Sequence, residues 1–183
     1  MKALWLPESL TGERVTLRKH NLELAETMFQ YIDQDRKRLV HLPWVDFTHG
    51  VHDERDYIEM THREWEDFKM FDYGLFRNEG DVYMGNIGVH TIAWDHDRCE
   101  LGYWILGNFE GHGYVSEGVR LLEKTLFDVG FHRIEIHCSG ANTRSGAVAE
   151  RCGYKLEGVL REHAVEQGAR RDTRVYAKLK HER

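Results

Sequence analysis

The amino-acid sequence predicts an α+β fold, a mixed sheet with helices on its faces. Three observations carry this. Apolar residues alternate with polar ones in residues 13–19 and 132–138, the period of strands, whereas Leu24, Met28, Phe29 and Ile32, and again Val115, Val119, Leu122 and Leu126, recur at helical spacing. Strands over 73–77, 82–91 and 100–106 follow one another through short turns, as in an antiparallel meander. The unit 100–138 then reads strand, helix, strand, a crossover that is normally right-handed with its strands parallel or nearly so.

Taken in order, the first strand spans 13–19, with Val15 and Leu17 alternating against Thr16 and Arg18. A helix over 23–32 follows, and Asn21 is placed to cap it. Residues 35–47 mix charge with Leu39, Leu42, Pro43 and Trp44; Pro43 interrupts any helix that enters the stretch, so an apolar loop tip beside charges, suited to a binding mouth, is expected. A second helix is predicted over 53–71. Between Asp33 and Asp72 there are eleven Asp or Glu against six Lys or Arg, which reads either as a solvated helix face or as an electronegative lip that draws an amine. Asn78-Glu79-Gly80 has the make-up of a hairpin turn, and Gly85 and Gly88 in the next strand point to a bulge or the close approach of another backbone. Gly130 suits a helix C-cap, residues 142–152 form a short helix ended by Gly153, and two last strands, 154–157 and 172–179, are joined by 161–171.

With 183 residues the chain reads as one domain, 1–183, able to bury about 70% of its unfolded surface. No stretch approaches the roughly 18 apolar residues of a membrane span, and residues 1–10 lack a signal-peptide pattern, so a cytoplasmic protein without a membrane partner is expected. Cys99, Cys138 and Cys152 have no CxxC spacing, and the twelve histidines include no HExxH, which predicts free thiols and no metal. A net charge of -6 disfavours a nucleic-acid partner and is compatible with a cationic substrate.

The chemistry centres on residues 99–130. A strand rich in Leu, Tyr, Trp and Ile runs into a turn holding Gly107, Gly111 and Gly113, and then into the Val115 helix. The first amides of a helix have no partner within it, the helix dipole is positive there, and glycines let an anion approach bare backbone, so the turn is a phosphate site. A dinucleotide fold fits badly: Ser116 stands where a third glycine belongs, and the 132–138 strand ends in Cys138-Ser139-Gly140 rather than an acid. GxxxxGK[ST] is absent, which excludes a P-loop.

Four segments in order, Glu100-Leu101-Gly102-Tyr103-Trp104-Ile105-Leu106, Gly111-His112-Gly113-Tyr114, Asn142-Thr143-Arg144-Ser145 and Gly153-Tyr154-Lys155-Leu156-Glu157-Gly158, resemble the GNAT superfamily of acyl-CoA-dependent N-acyltransferases. They are most similar to its RimJ/RimL-type branch, which acetylates ribosomal-protein N-termini, and Arg38 to Phe47 also resembles a segment of that branch. The resemblance implies a GNAT fold, with a mostly antiparallel twisted sheet whose central strands splay, and acetyl-CoA in the resulting cleft. The pantetheine arm would pair near Tyr103, Trp104 and Ile105, and the pyrophosphate would sit on the amides of Gly111, His112, Gly113, Tyr114 and Val115. Asn108 departs from the Gln or Arg usual three residues before the first glycine. Asn142 would contact the pantetheine, and the Ser145 hydroxyl would reach the coenzyme sulfur as donor or general acid; the pair also has the spacing of a helix N-cap.

For the general base, Glu100 is the candidate, directly or through water, with a cross-strand ion pair as its other reading. Glu162, His163 and Glu166 lie where the RimL-like branch places an acid, although the position matching by spacing is Ala164. Cys138 is either a lining thiol or a structural one. The function implied is transfer of acetyl to a primary amine, a protein N-terminus or else an amino acid, polyamine or antibiotic. A silent acyl-CoA sensor is the non-enzymatic alternative, and a homodimer is implied by the resemblance.

Overall fold

The computed structural model describes residues 5–183, so the first four residues of the expected signal-free segment 1–10 lie outside the described residues. The strands are Ser9–Thr11 (β1), Val15–Lys19 (β2), Phe71–Arg77 (β3), Val82–Ala93 (β4), Arg98–Ile105 (β5), Arg133–Ser139 (β6), Lys155–Glu166 (β7) and Ala169–Leu179 (β8). The helices are Ala25–Asp35 (α1), Val51–Glu66 (α2), Tyr114–Val129 (α3) and Thr143–Arg151 (α4). One sheet runs in the order β1-β2-β3-β4-β5-β6-β8-β7, and among the described residues every neighbouring pair is antiparallel except β5–β6.

Strand alternation assigns the two faces. Phe71, Tyr73, Leu75, Ile87, Val89, Cys99, Leu101, Ile134 and Ile136 are buried on the face that packs against α3, whose Val115, Val119, Leu122 and Leu126 form the facing stripe. Gly118 lets the helix lie close, since a Cβ there would come within 2.5 Å of Ile87 Cδ1. The opposite face carries Asp72, Asn86, Gly88, His90, Glu100, Gly102 and Trp104 in register across β3, β4 and β5. Helices α1 and α2 lie beside this polar face, with Met28, Ile32 and Ile58 in a smaller apolar cluster that includes Trp104.

Several boundaries differ from the sequence expectation. The helix expected over 53–71 is Val51–Glu66; Phe68 takes a left-handed φ of 57° and Phe71 already belongs to β3. Asp53 closes its N-terminus by accepting the amides of His49 and Gly50 at 2.8 and 2.9 Å. The 161–171 connection is instead the end of a long hairpin, β7 and β8, turned by Gln167 and Gly168 with φ of 49° and 75°. Its β7 arm is largely exposed on both faces as far as the buried Glu166, so no alternation marks it, and two register shifts interrupt what pattern there is. Residues 43–47 form a 3-10 turn with Pro43 at its start, and β1 was not legible in so short a segment. Asn21 caps as expected, accepting the Leu24 amide at 3.1 Å.

Gly85 meets its expectation of close approach: φ is 153° and a Cβ would lie 2.2 Å from the Trp104 carbonyl oxygen. The register shift between Leu75 and Phe76 sits opposite it. Gly88 faces a side chain rather than a backbone, the carboxylate of Asp72.

Candidate active site

β5 and β6 pair only through Arg98–Arg133, Cys99–Ile134 and Glu100–Glu135, then part. Beyond Glu100, β5 has β4 on one side, where Ile87, Asn86 and Gly85 face Tyr103, Trp104 and Ile105, and, among the described residues, no strand on the other. Its unpaired backbone edge borders a cavity of about 870 Å³. The turn that follows reverses through Gly111 and Gly113, with φ of 81° and 80°, conformations that favour glycine. Gly113 is the N-cap of α3 and offers no side chain to its first amides, which therefore open outward at the positive end of a 16-residue helix.

The residues expected to hold the coenzyme, Tyr103, Trp104, Ile105, Gly111, His112, Gly113, Tyr114, Val115, Asn142 and Ser145, all line this cavity. Three arginines to which the sequence reading gave no binding role line it too: Arg38, Arg144 and Arg151. Arg144 is held by Glu110 at 2.6 Å and Arg151 donates to the Ser116 hydroxyl at 3.0 Å. Side chains from a loop, from α4 and from its C-terminal end converge only in the fold, which is why spacing does not reveal them.

Asn142 caps α4, its Oδ1 accepting the Ser145 amide at 3.2 Å. The Ser145 hydroxyl is then turned toward β5, where it donates to the Tyr103 oxygen at 3.2 Å. Burial pushes the Tyr103 hydroxyl upward, so it is a donor rather than a base.

A second cavity, about 770 Å³, lies over the polar face of the sheet. Glu100 lines it, 3.6 Å from His137 Nδ1, while the other nitrogen of that ring meets Glu135 at 2.9 Å. Glu100 thus borders a cavity on one side and a cross-strand histidine on the other. Cys138 also lines the cavity, and burial pushes its thiol up, away from the thiolate a nucleophile needs. Of the acids between Asp33 and Asp72, Asp53, Glu54 and Asp72 line the cavity. Glu162 and His163 instead pair along the hairpin, the Glu162 amide with Asp172 at 2.9 Å and the His163 ring with Thr173 at 3.1 Å. Glu166 is buried and bonded to His41 at 2.9 Å and to the Ser139 hydroxyl at 3.0 Å.

The acetyltransferase (GNAT) domain model matches residues 14–155. The N-acetyltransferase p20 of Bacillus licheniformis is 29% identical over 178 residues, 96% of this chain and 98% of that protein. A ribosomal-protein-serine acetyltransferase of Escherichia coli (strain K12) is 29% identical over 160 residues, covering 85% of this chain and 87% of the relative. Among solved structures, the microcin C7 self-immunity acetyltransferase MccE, in complex with acetyl-CoA and AMP, superposes with a TM-score of 0.89 at 25% identity over 97% of this chain and 99% of the other. The ribosomal L7/L12 α-N-protein acetyltransferase RimL, in complex with coenzyme A, gives a TM-score of 0.89 at 21% identity, over 94% of this chain and 98% of that one, a likeness of fold. With the matching model spanning most of the sequence and the splayed β5–β6 pair in place, the chain belongs to the GNAT acetyltransferase family.

Proposed function

We propose that this acetyltransferase passes the acetyl group of acetyl-CoA directly to a primary amine, that of a protein N-terminus, in a ternary complex. One observation carries the reading: two cavities of opposite character meet at shared residues. The first holds Arg38, Arg144, Arg151 and the open amides of α3; the second is lined by Asp53, Glu54, Asp72 and Glu100 and, among the described residues, by no Lys or Arg; Tyr103, Trp104, Asn142 and Ser145 belong to both. A polyanionic coenzyme suits the first and an ammonium the second, so thioester and amine meet at the shared wall.

In this scheme the pyrophosphate rests on the amides of Gly113 to Val115, and the pantetheine extends along the free edge of β5 beside Asn142. A strand N–H near Tyr103 polarises the thioester carbonyl. Glu100, directly or through a water, takes the proton that the ammonium must lose; the amine nitrogen attacks the carbonyl carbon, and the C–S bond breaks as the tetrahedral oxyanion collapses. The leaving sulfur takes a proton from Ser145, which its contact with Tyr103 keeps beside β5; the proton that the new amide nitrogen sheds restores the serine hydroxyl, and Glu100 returns its own proton to water. The likeness to MccE, a microcin C7 self-immunity acetyltransferase in complex with acetyl-CoA and AMP, favours a small-molecule amine as the second reading.

Mass spectrometry of peptides and small amines incubated with acetyl-CoA tests both readings. Acetylated N-termini support the first and acetylated small amines the second. Coenzyme binding without amine-dependent thiol release would leave only a sensor.

A further inference from the structure

The acidic cavity is more specialised than one ammonium requires. Asp72 receives three donors, the His20 ring at 2.7 Å, the Tyr57 hydroxyl at 2.6 Å and the Asn86 amide at 3.1 Å, and all three fall on Oδ2. Among the described residues its other oxygen, Oδ1, receives no hydrogen bond, although Asp72 is only 5% exposed. That oxygen lies over Gly88, where a Cβ would stand 2.4 Å from it, so the missing side chain leaves it room at the cavity wall. Glu54, 3% exposed, lines the same cavity, and among the described residues no lysine or arginine lines it. A carboxylate whose unbonded oxygen borders the cavity, with a histidine ring as its nearest basic group, is placed to accept a cation that arrives with the ligand.

The sheet register sets the spacing. Asp72 stands opposite Gly88, and Gly88 opposite Gly102, so Asp72 and β5 are two strands apart, about 10 Å. The shared wall at Tyr103 and Ser145 belongs to the β5 end, and Glu54 and Asp72 to the other. Met28, Ile32, Met60 and Met70 line the cavity as well, an apolar, adaptable surface suited to methylene groups.

We propose that the acceptor carries a second cation, an alkylammonium group that binds between Glu54 and Asp72 Oδ1 while the amine to be acetylated reaches the thioester. This rests on the reading of the acidic cavity as the acceptor site. Two sources share the chemistry: a free aliphatic diamine, and a lysine side chain close behind a peptide N-terminus.

The test uses matched pairs that differ in the second charge. Cadaverine is compared with pentylamine, and a peptide beginning Ser-Lys with one beginning Ser-norleucine. The expected result is a kcat/KM at least about tenfold higher for the charged member of one pair, as a charge-assisted hydrogen bond provides. That ratio should fall toward one in Glu54→Gln and in Asp72→Asn. The pair that shows the preference identifies the source. Acetylation of both members at equal rates overturns the second-cation proposal and leaves the acceptor reading standing. If no amine is acetylated, the acceptor reading fails, and binding decides the rest: with coenzyme A present, cadaverine should raise the melting temperature more than pentylamine does, and lose this advantage in Glu54→Gln. Equal shifts would overturn the proposal.

Discussion

Tyr103 and Ser145 exchange two hydrogen bonds: the serine hydroxyl donates to the phenol oxygen at 3.2 Å, and the phenol donates to the serine carbonyl at 3.0 Å. The first turn of α4 is thereby tied to the β5 edge at which the two cavities meet. If Ser145 is the donor to the leaving sulfur, Ser145→Ala should lower kcat by about 100-fold with little change in coenzyme Kd. Unchanged turnover would remove that role. Tyr103→Phe, which keeps the ring but frees the serine, should give a smaller loss, read from the same single-turnover measurements.

Glu54 makes stability depend on pH. Burial, against a lowering influence from the Thr48 hydroxyl and from His20, pushes its carboxyl up to about 7, with Asp53 and Asp72 adding to the rise. A carboxyl whose folded value exceeds its unfolded one holds its proton more tightly in the native state, so stability declines as pH climbs from about 4.5 toward 7. Glu54→Gln should therefore be more stable than the parent above pH 7, by on the order of 2–3 kcal/mol, and no more stable near pH 4. Urea unfolding at the two pH values checks this; a stabilisation independent of pH would contradict it.

Gly85→Ala should destabilise by about 3 kcal/mol or more, because the new methyl meets the Trp104 carbonyl and the backbone there is one L-residues rarely adopt. Gly88→Ala should act on ligand binding instead, by displacing the Asp72 carboxylate. Comparable denaturation midpoints for the two variants would show that the close approach at Gly85 yields more easily than its geometry suggests.

Direct transfer predicts that no acetyl group rests on the protein. Intact-mass measurement after incubation with acetyl-CoA alone should find no adduct, and Cys138→Ala should retain turnover, in keeping with a thiol whose burial disfavours the thiolate. An acetyl adduct that forms and is then discharged by amine would establish a covalent route.

The sequence by itself determined the α+β pattern, the β5–turn–α3 unit and the loop glycines that leave the first helical amides bare, because each of these is written in local periodicity and in residues with unusual backbone freedom. It also placed Asn142 and Ser145 three apart, a spacing that a helix start converts into a cap. Tertiary structure decided what those pieces face. Arg38, Arg144 and Arg151 come together from distant segments, Asp72 gains three donors from β2's end, α2 and β4, and Gly88 matters only because strand register sets it opposite that carboxylate. The 161–171 stretch became strand because backbone hydrogen bonds to a neighbour, rather than side-chain pattern, hold an exposed hairpin. Charge character follows the same division: the count of acids between Asp33 and Asp72 was legible, but only packing over the polar face of the sheet separates the three that line the second cavity from the rest.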